Sequence, residues 1–333
     1  MPDRTFPTAA RPSRRHLLGA AALLAFAAWA GPAAGQAYPA KPITFVVPFA
    51  AGSATDQLAR ALGQAITAET KQAVVVDNKA GASGMLAAQQ AARAAPDGYT
   101  VLITTNTTHA ANEHLYKKLP YDPVKDFAPV TAIAKGSQVM VVNAASPYKT
   151  VADVIAKAKQ SPGKLSFGSG SSSSRVAGEM FKQLSGTDIL HVPYKSNPNA
   201  VTDLLGGQID MMITDTATGI PQIKGGKLRG LGVSTTKRNP LLPELPTLEE
   251  AGVKGYDMGY WFAAYVPAGT PAPVVARLHD LLVAGTKSAA AKTFFDGSGS
   301  DPWTTTPEEL AKFQGTDAQK WGRVIKAAGI EPE

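Results

Sequence analysis

Short β-rich runs alternate with stretches of helical hydrophobic spacing along almost the whole chain, and no other feature narrows the fold as far. Ile43-Thr44-Phe45-Val46-Val47 reads as a buried strand, after which Leu58, Ala59, Leu62 and Ile66 recur at helical spacing. Val74-Val75-Val76 is a second strand, the Ala-rich stretch 85–95 a second helix, Pro96-Asp97-Gly98 a turn, and 99–103 a third strand. The alternation restarts after Val139-Met140-Val141-Val142. A helix on Val151, Val154, Ile155 and Ala158 ends at Ser161-Pro162-Gly163, and Leu165-Ser166-Phe167 is a strand. A helix on Val176, Met180 and Leu184, a strand over 189–192, a helix over 200–205 stopped by Gly206-Gly207, and strands at 211–213 and 231–233 follow. Strands separated by single helices specify βαβ units and a largely parallel sheet.

Two such series in 333 residues match two domains of ordinary size. Beyond them come a Pro-rich loop over 240–246, an apolar run over 261–266, and helices near 274–283 and 310–325. The last 70 or so residues hold too few strands to form a domain of their own. The economical solution returns them to the first series. Lobe 1 is then 38–141 plus 264–333, lobe 2 is 142–263, and a cleft lies between lobes that close by a hinge.

The N-terminus reads as a removable export signal, 1–37. Ser13-Arg14-Arg15-His16-Leu17-Leu18 opens an apolar run through Ala30 that is too short to span a bilayer, and Gly35-Gln36-Ala37 offers small residues for cleavage near Ala37. The paired arginines fit a twin-arginine signal, and an ordinary Sec signal with two arginines fits as well. The expected location is the periplasm. The segment holds four Arg and one Asp, so its removal lowers the formal charge of +7 to +4. The remaining basic residues are scattered, which argues against a nucleic-acid partner. The absence of cysteine excludes disulfides, thiolate metal sites and cysteine nucleophiles. The five histidines, 16, 109, 114, 191 and 279, show no zinc-binding spacing, so no metal is expected. His109 and His114 read as solvated or capping residues.

Two segments share one physical idea. Pro48-Phe49-Ala50-Ala51-Gly52-Ser53-Ala54-Thr55-Asp56 leaves a strand and opens a helix, and Gly168-Ser169-Gly170-Ser171-Ser172-Ser173-Ser174-Arg175 does the same in the second series. Small residues there let backbone N–H groups reach a ligand, the helix N-terminus favours an anion, and serine hydroxyls add short donors. The alternative is a pair of ordinary βα turns with Ser/Thr caps. Asp56 and Arg60 stand four apart, as in a helix-surface ion pair; a cleft-facing Asp56 accepting a ligand amine is the other reading. Arg175 is placed either to pair with a carboxylate or to be solvated. Catalytic signatures are poor: Gly81-Ala82-Ser83-Gly84 misses a nucleophile elbow by one residue, and both Ser-x-x-Lys matches contain Pro. No catalytic residue and no cofactor are assigned.

The chain also carries Tyr38-Pro39-Ala40-Lys41-Pro42-Ile43, Val46-Val47-Pro48-Phe49-Ala50-Ala51-Gly52 with Asp56 and Ala59-Arg60, and Pro96-Asp97-Gly98-Tyr99-Thr100. Leu119-Pro120-Tyr121-Asp122-Pro123, Asp126-Phe127-Ala128-Pro129-Val130, His191-Val192-Pro193-Tyr194-Lys195, and Leu242-Pro243-Glu244-Leu245-Pro246-Thr247 with Glu250-Ala251-Gly252 follow. In this order the set resembles the tripartite tricarboxylate transporter substrate-binding proteins, the Bug family of extracytoplasmic receptors, over the whole exported chain. The resemblance implies an α/β, two-lobed periplasmic-binding-protein fold, each lobe a mainly parallel sheet flanked by helices, with hinge crossings between the lobes. It implies a small organic carboxylate as ligand and the small and large integral subunits of a membrane transporter as partners; a monomer is expected. Its ligand loops fall on Phe49, Ala51, Gly52, Ser53 and Asp56, then on Thr105, Asn106 and Thr107. They continue on Ser169, Ser172, Ser173, Ser174 and Arg175, on Tyr194, and on Asp215. Three positions depart from the family pattern: Ser53 replaces a second glycine, Arg175-Val176 replaces His-Leu, and Ser196 replaces Gly. From these, Arg175 is expected to add a cationic contact to a second anionic group. Trp261 and Phe262 either stack on an aromatic acid or form a buried hinge strand.

A receptor that leaves its carboxylate unchanged is thus the leading reading. A ligand-presenting sensor for a membrane signalling partner is separated from it by pull-down, and a secreted hydrolase or lyase by a turnover assay.

Overall fold

The structure is a computed structural model that describes residues 1–3 and 38–333; the expected export signal lies outside the described residues. The chain divides into an N-terminal unit, Met1–Ala40, and a compact unit, Lys41–Glu333, that carries the fold. Its strands are β1 (Ile43–Val47), β2 (Val74–Asn78), β3 (Thr100–Thr105), β4 (Phe127–Asn143), β5 (Ser166–Ser169), β6 (Leu190–Pro193), β7 (Met211–Asp215), β8 (Leu228–Val233), β9 (Gly259–Pro267) and β10 (Asp301–Pro302). The helices are α1 (Ala54–Thr70), α2 (Met85–Ala92), α3 (Asn112–Leu115), α4 (Val151–Gln160) and α5 (Ser172–Ser185). They continue as α6 (Asn197–Leu205), α7 (Thr216–Lys224), α8 (Ala272–Thr286), α9 (Ala289–Ser298) and α10 (Pro307–Ala327).

The two βα series fold alike. β1 lies between β2 and β3, parallel to both, and β5 lies between β6 and β7, parallel to both. The reason is local: both central strands are largely buried, β1 on apolar side chains (Ile43, Phe45, Val46 and Val47) and β5 on Phe167 between small residues, so both faces of each need helices. The expected face of α1 (Leu58, Ala59, Leu62, Ile66) is buried, each large side chain contributing about 1.5–3 kcal/mol. In the second series Gly178 of α5 lets the helix lie on Phe167 of β5; a Cβ there would strike the ring.

The strands that join the series run antiparallel. β9 pairs with β3, and β4 pairs with β9 over 127–137 and then with β7 and β8 over 138–143. The result is one curled sheet in the order β2-β1-β3-β9-β4-β7-β5-β6, with β8 and β10 both on β4. This is the expected two-lobed α/β architecture, each lobe built on a parallel trio. Its crossing strand was only partly legible: the apolar run at Val139 marked the second half of β4, whereas Pro129, Lys135 and Gly136 masked the first. Register shifts at Pro129/Thr131 and Ala132/Ala134 show how the strand absorbs that irregular sequence. Among the described residues no helix is long and apolar enough to cross a membrane.

Candidate functional site

Between the lobes lies a cleft of about 400 Å³, counting space open to solvent. Its walls are built from helix beginnings. Ser53, Ser171, Ser196 and Asp215 stand at the N-cap positions of α1, α5, α6 and α7, and all four line the cleft. The topology dictates this: helices that follow parallel strands in facing lobes start at the same edge of the sheet. Unsatisfied N–H groups and the positive ends of helix dipoles therefore converge from both lobes.

Three of the caps are occupied with their own helices. Ser53 Oγ accepts from Asp56 N (3.3 Å), Ser171 Oγ from Ser174 N (3.2 Å) and Asp215 Oδ1 from Thr218 N (2.8 Å). Asn197 Nδ2 donates to the other Asp215 oxygen at 2.8 Å, so both carboxylate oxygens are engaged. Ser196 differs: its hydroxyl caps nothing. Ser196 Oγ, both amide atoms of Asn106, and Gln138 Oε1 are buried without a hydrogen-bond partner, and these three cleft residues are at most 1% exposed. Polar atoms buried in this way each cost about 1–3 kcal/mol. Their convergence on one cleft is the signature of a polar ligand. Phe49, Tyr260 and Phe262 supply the apolar part of the lining.

The lobes meet around this cleft through side-chain bonds. Thr107 Oγ1 and Ser173 Oγ share a hydrogen bond at 3.2 Å, and Ser172 Oγ donates to Asn112 Oδ1 at 2.7 Å. The loop that carries Asn106 and Thr107 continues into a π-helical turn, Thr107–Ala111. There His109 is fully buried, its ring stacked on Tyr265 at 3.9 Å and bonded through Nδ1 to Thr108 Oγ1 at 2.8 Å. This corrects the solvated reading of His109. His114 Nε2 instead bonds Ala318 O at 2.8 Å.

The cleft brings together Phe49, Ser53, Thr105, Asn106, Thr107, Ser173 and Asp215 from the expected set. Other expected residues act one step behind it. Gly52 N donates to Asp56 Oδ2 (2.9 Å), and Asp56 pairs with Arg60 (2.9 Å), the ion-pair reading rather than the amine acceptor. Ala51 and Gly52 are exposed at the loop tip. Ser174 Oγ donates to Asn197 Oδ1 at 3.0 Å, and Tyr194 Oη to Asp203 at 2.8 Å. Trp261 points its indole N–H to Asp317 (2.7 Å), and of the pair Trp261 and Phe262 the cleft takes Phe262.

Arg175 also departs from expectation. It does not line the cleft: its Nη1 pairs with Glu333 Oε1 at 2.6 Å, while the Glu333 backbone bonds Leu115 and Lys117 of the first series. Arg175 thus ties α5 to the opposite lobe. Arg175→Ala and Glu333→Ala are expected to weaken ligand binding by similar factors, each within about fivefold, with a double variant no worse than either single. Titration calorimetry checks this; a much larger loss for Arg175→Ala alone would mean direct ligand contact.

Gln138, Ser196 and Asn197 were not expected as lining. A signal for Gln138 exists in the sequence, as an amide heading the apolar run Val139–Val142, where a buried polar side chain needs a reason.

A serine–histidine pair does occur, Ser169 Oγ to His191 Nε2 at 2.7 Å, yet neither residue lines the cleft and Phe167 stacks on the imidazole at 4.9 Å. Burial, aided by the Arg175 charge, pushes the His191 pKa down to about 4, and burial pushes that of His109 down to about 3, from 6.5. Below pH 6.5 the unfolded chain therefore takes up protons that the fold refuses. Stability from both imidazoles is present in full above pH 6.5 and is lost as pH falls toward 4 and then 3. The melting temperature is expected to drop steadily from pH 6.5 to 4.5, and less steeply in His109→Gln/His191→Gln, as followed by circular dichroism.

Similarity to known proteins agrees with this geometry. Residues 58–330 match the family model described as the tripartite tricarboxylate transporter family receptor. The protein BugT of Bordetella pertussis is 31% identical over 92% of this chain and 95% of its own length. Rpa4515 of R. palustris, solved with adipate, superposes with a TM-score of 0.86 at 35% identity, over 89% of this chain and 100% of that one. MatC of Rhodopseudomonas palustris, solved with bound malate, gives 0.82 at 28% identity, over 86% and 100%.

Proposed function

The chain belongs to the tripartite tricarboxylate transporter receptor family, and from that premise we propose that it is a periplasmic receptor that encloses a small organic carboxylate between its lobes and delivers it to the membrane subunits of a transporter, unchanged. The observation that carries this reading is the set of buried, unpartnered polar atoms on Asn106, Gln138 and Ser196 among four helix N-termini. Asn106 Nδ2 and Ser196 Oγ are donors suited to a carboxylate oxygen. Asn106 Oδ1 and Gln138 Oε1 are acceptors suited to a ligand hydroxyl or a bridging water. Among the described residues the lining contains no Lys, Arg or His, so the anion is held by neutral dipoles and a modest affinity suits release to a transporter. Because relatives hold adipate and malate, a dicarboxylate is the ligand class proposed here.

A thermal-shift screen of the protein, unfolded and refolded to strip carried-over ligand, tests this against a panel of organic acids. A true ligand at 100 times its Kd adds about 2.7 kcal/mol, a rise of several degrees. Shifts confined to dicarboxylates support the reading; a shift with amines or sugars and none with acids contradicts it. Incubation with the shifting acid must also leave that acid intact.

A further inference from the structure

Gly81-Ala82-Ser83-Gly84, the segment that misses a nucleophile elbow, lies outside the cleft lining. Its backbone is unusual. All four residues have positive φ, in order 130°, 47°, 49° and 79°, and Ala82–Gly84 closes a tight 3₁₀ turn. Glycine adopts such angles freely, but alanine and serine do so only where the surroundings hold them there.

The holding contacts lead back to the cleft. Gly84 is wedged against the two loops that carry the first lobe's cleft residues: a Cβ there would lie 2.8 Å from Pro48 and 2.9 Å from Thr108. Ser83 Oγ and Tyr116 Oη share a hydrogen bond at 2.8 Å, and Ser83 O accepts from Asn112 Nδ2 at 3.0 Å. Asn112 is fully buried, and its amide serves both lobes. Nδ2 also donates to Tyr121 Oη at 3.2 Å, while Oδ1 accepts from Ser172 Oγ, at the start of α5 in the opposite lobe, at 2.7 Å. Both N–H groups and the carbonyl are thus engaged, which fixes the way the amide faces. The bond to Ser172 exists only while the lobes are together. When they part, water reaches the amide and it is free to turn away from Ser83 O.

We infer that Asn112 couples closure of the lobes to the 81–84 turn: closure holds the turn in its left-handed form, and opening releases it. Ala82 in the turn and Leu86 just after it are exposed, so the state of the cleft is displayed at the protein surface, outside the cleft itself.

The chain has no cysteine, so one engineered pair closes the lobes without any ligand. Thr107 Oγ1 and Ser173 Oγ lie 3.2 Å apart, and Thr107→Cys/Ser173→Cys is bridged by oxidation or by dibromobimane. Hydrogen exchange of the Gly84 and Met85 amides reports the turn, since they donate within it to Gly81 O and Ala82 O. Bridging is expected to slow exchange at both amides. In the bridged protein, Ser172→Ala is expected to raise it again about tenfold, as for the loss of one buried hydrogen bond. The amides of β2 keep their rates on substitution. No slowing on bridging, equal rates with and without Ser172, or a rise shared by β2 overturns the proposal. The outcome does not depend on which acid the cleft binds, because the bridge holds the lobes together.

Discussion

Replacing Asn106 with leucine is expected to weaken carboxylate binding by roughly 30- to 150-fold, about 2–3 kcal/mol for a lost hydrogen bond to a charged group. The same change is expected to leave the unliganded protein as stable as before, or more so. The two halves of the prediction share one cause. Asn106 is fully buried and neither of its amide atoms has a partner, so in the unliganded fold the amide costs free energy that an apolar side chain of similar size removes. A residue kept for packing would show the opposite, with stability lost and affinity spared. Titration calorimetry and thermal melts on one preparation separate the cases. An affinity within threefold of the unsubstituted protein would remove Asn106 from the site.

Gly170→Ala is expected to be the most damaging single-methyl change near the cleft. Gly170 lies where the turn before α5 touches the start of α6, and an added Cβ would run into the backbone of Ser196 and Asn197. Backbone cannot give way as a flexible side chain does, so the two helix N-termini must part. The bond from Gly170 N to Asn197 Oδ1 (2.9 Å) would go with them. The expected loss is about 3 kcal/mol or more, a fall of about 6–12 °C in melting temperature, together with loss of carboxylate binding. Gly207→Ala is the control: its φ of +69° makes alanine strained by about 1–2 kcal/mol, yet no atom lies within 4 Å of the new methyl. It is expected to cost far less and to leave binding intact. Equal losses in the two variants would show that close approach at Gly170 does not matter.

The two βα series were legible because their strands are short, apolar and separated by amphipathic helices, a pattern that survives any loop. The chemistry of the 48–56 and 168–175 loops was legible for a related reason, since small residues between a strand and a helix announce a helix N-terminus open to a ligand. What escaped the sequence depends on contacts between distant segments. Nothing around Arg175 marks Glu333 as its partner, and nothing around His109 marks the Tyr265 ring that covers it. Ser196 was visible as a departure from the family pattern, yet its role depends on capping no helix while its three counterparts do. α9 was missed because 289–298 mixes Ala, Thr and Phe without a clean stripe, and tertiary burial of Phe294 and Phe295 decides it instead.

The most direct test of the central claim is a crystal structure of the protein with the organic acid that gives the largest thermal shift. The predicted result places a carboxylate between the lobes, with its oxygens within about 3.2 Å of Asn106 Nδ2, Ser196 Oγ or the first-turn amides of α1 and α5. A ligand bound elsewhere, with Asn106 and Ser196 still unpartnered, would contradict the account.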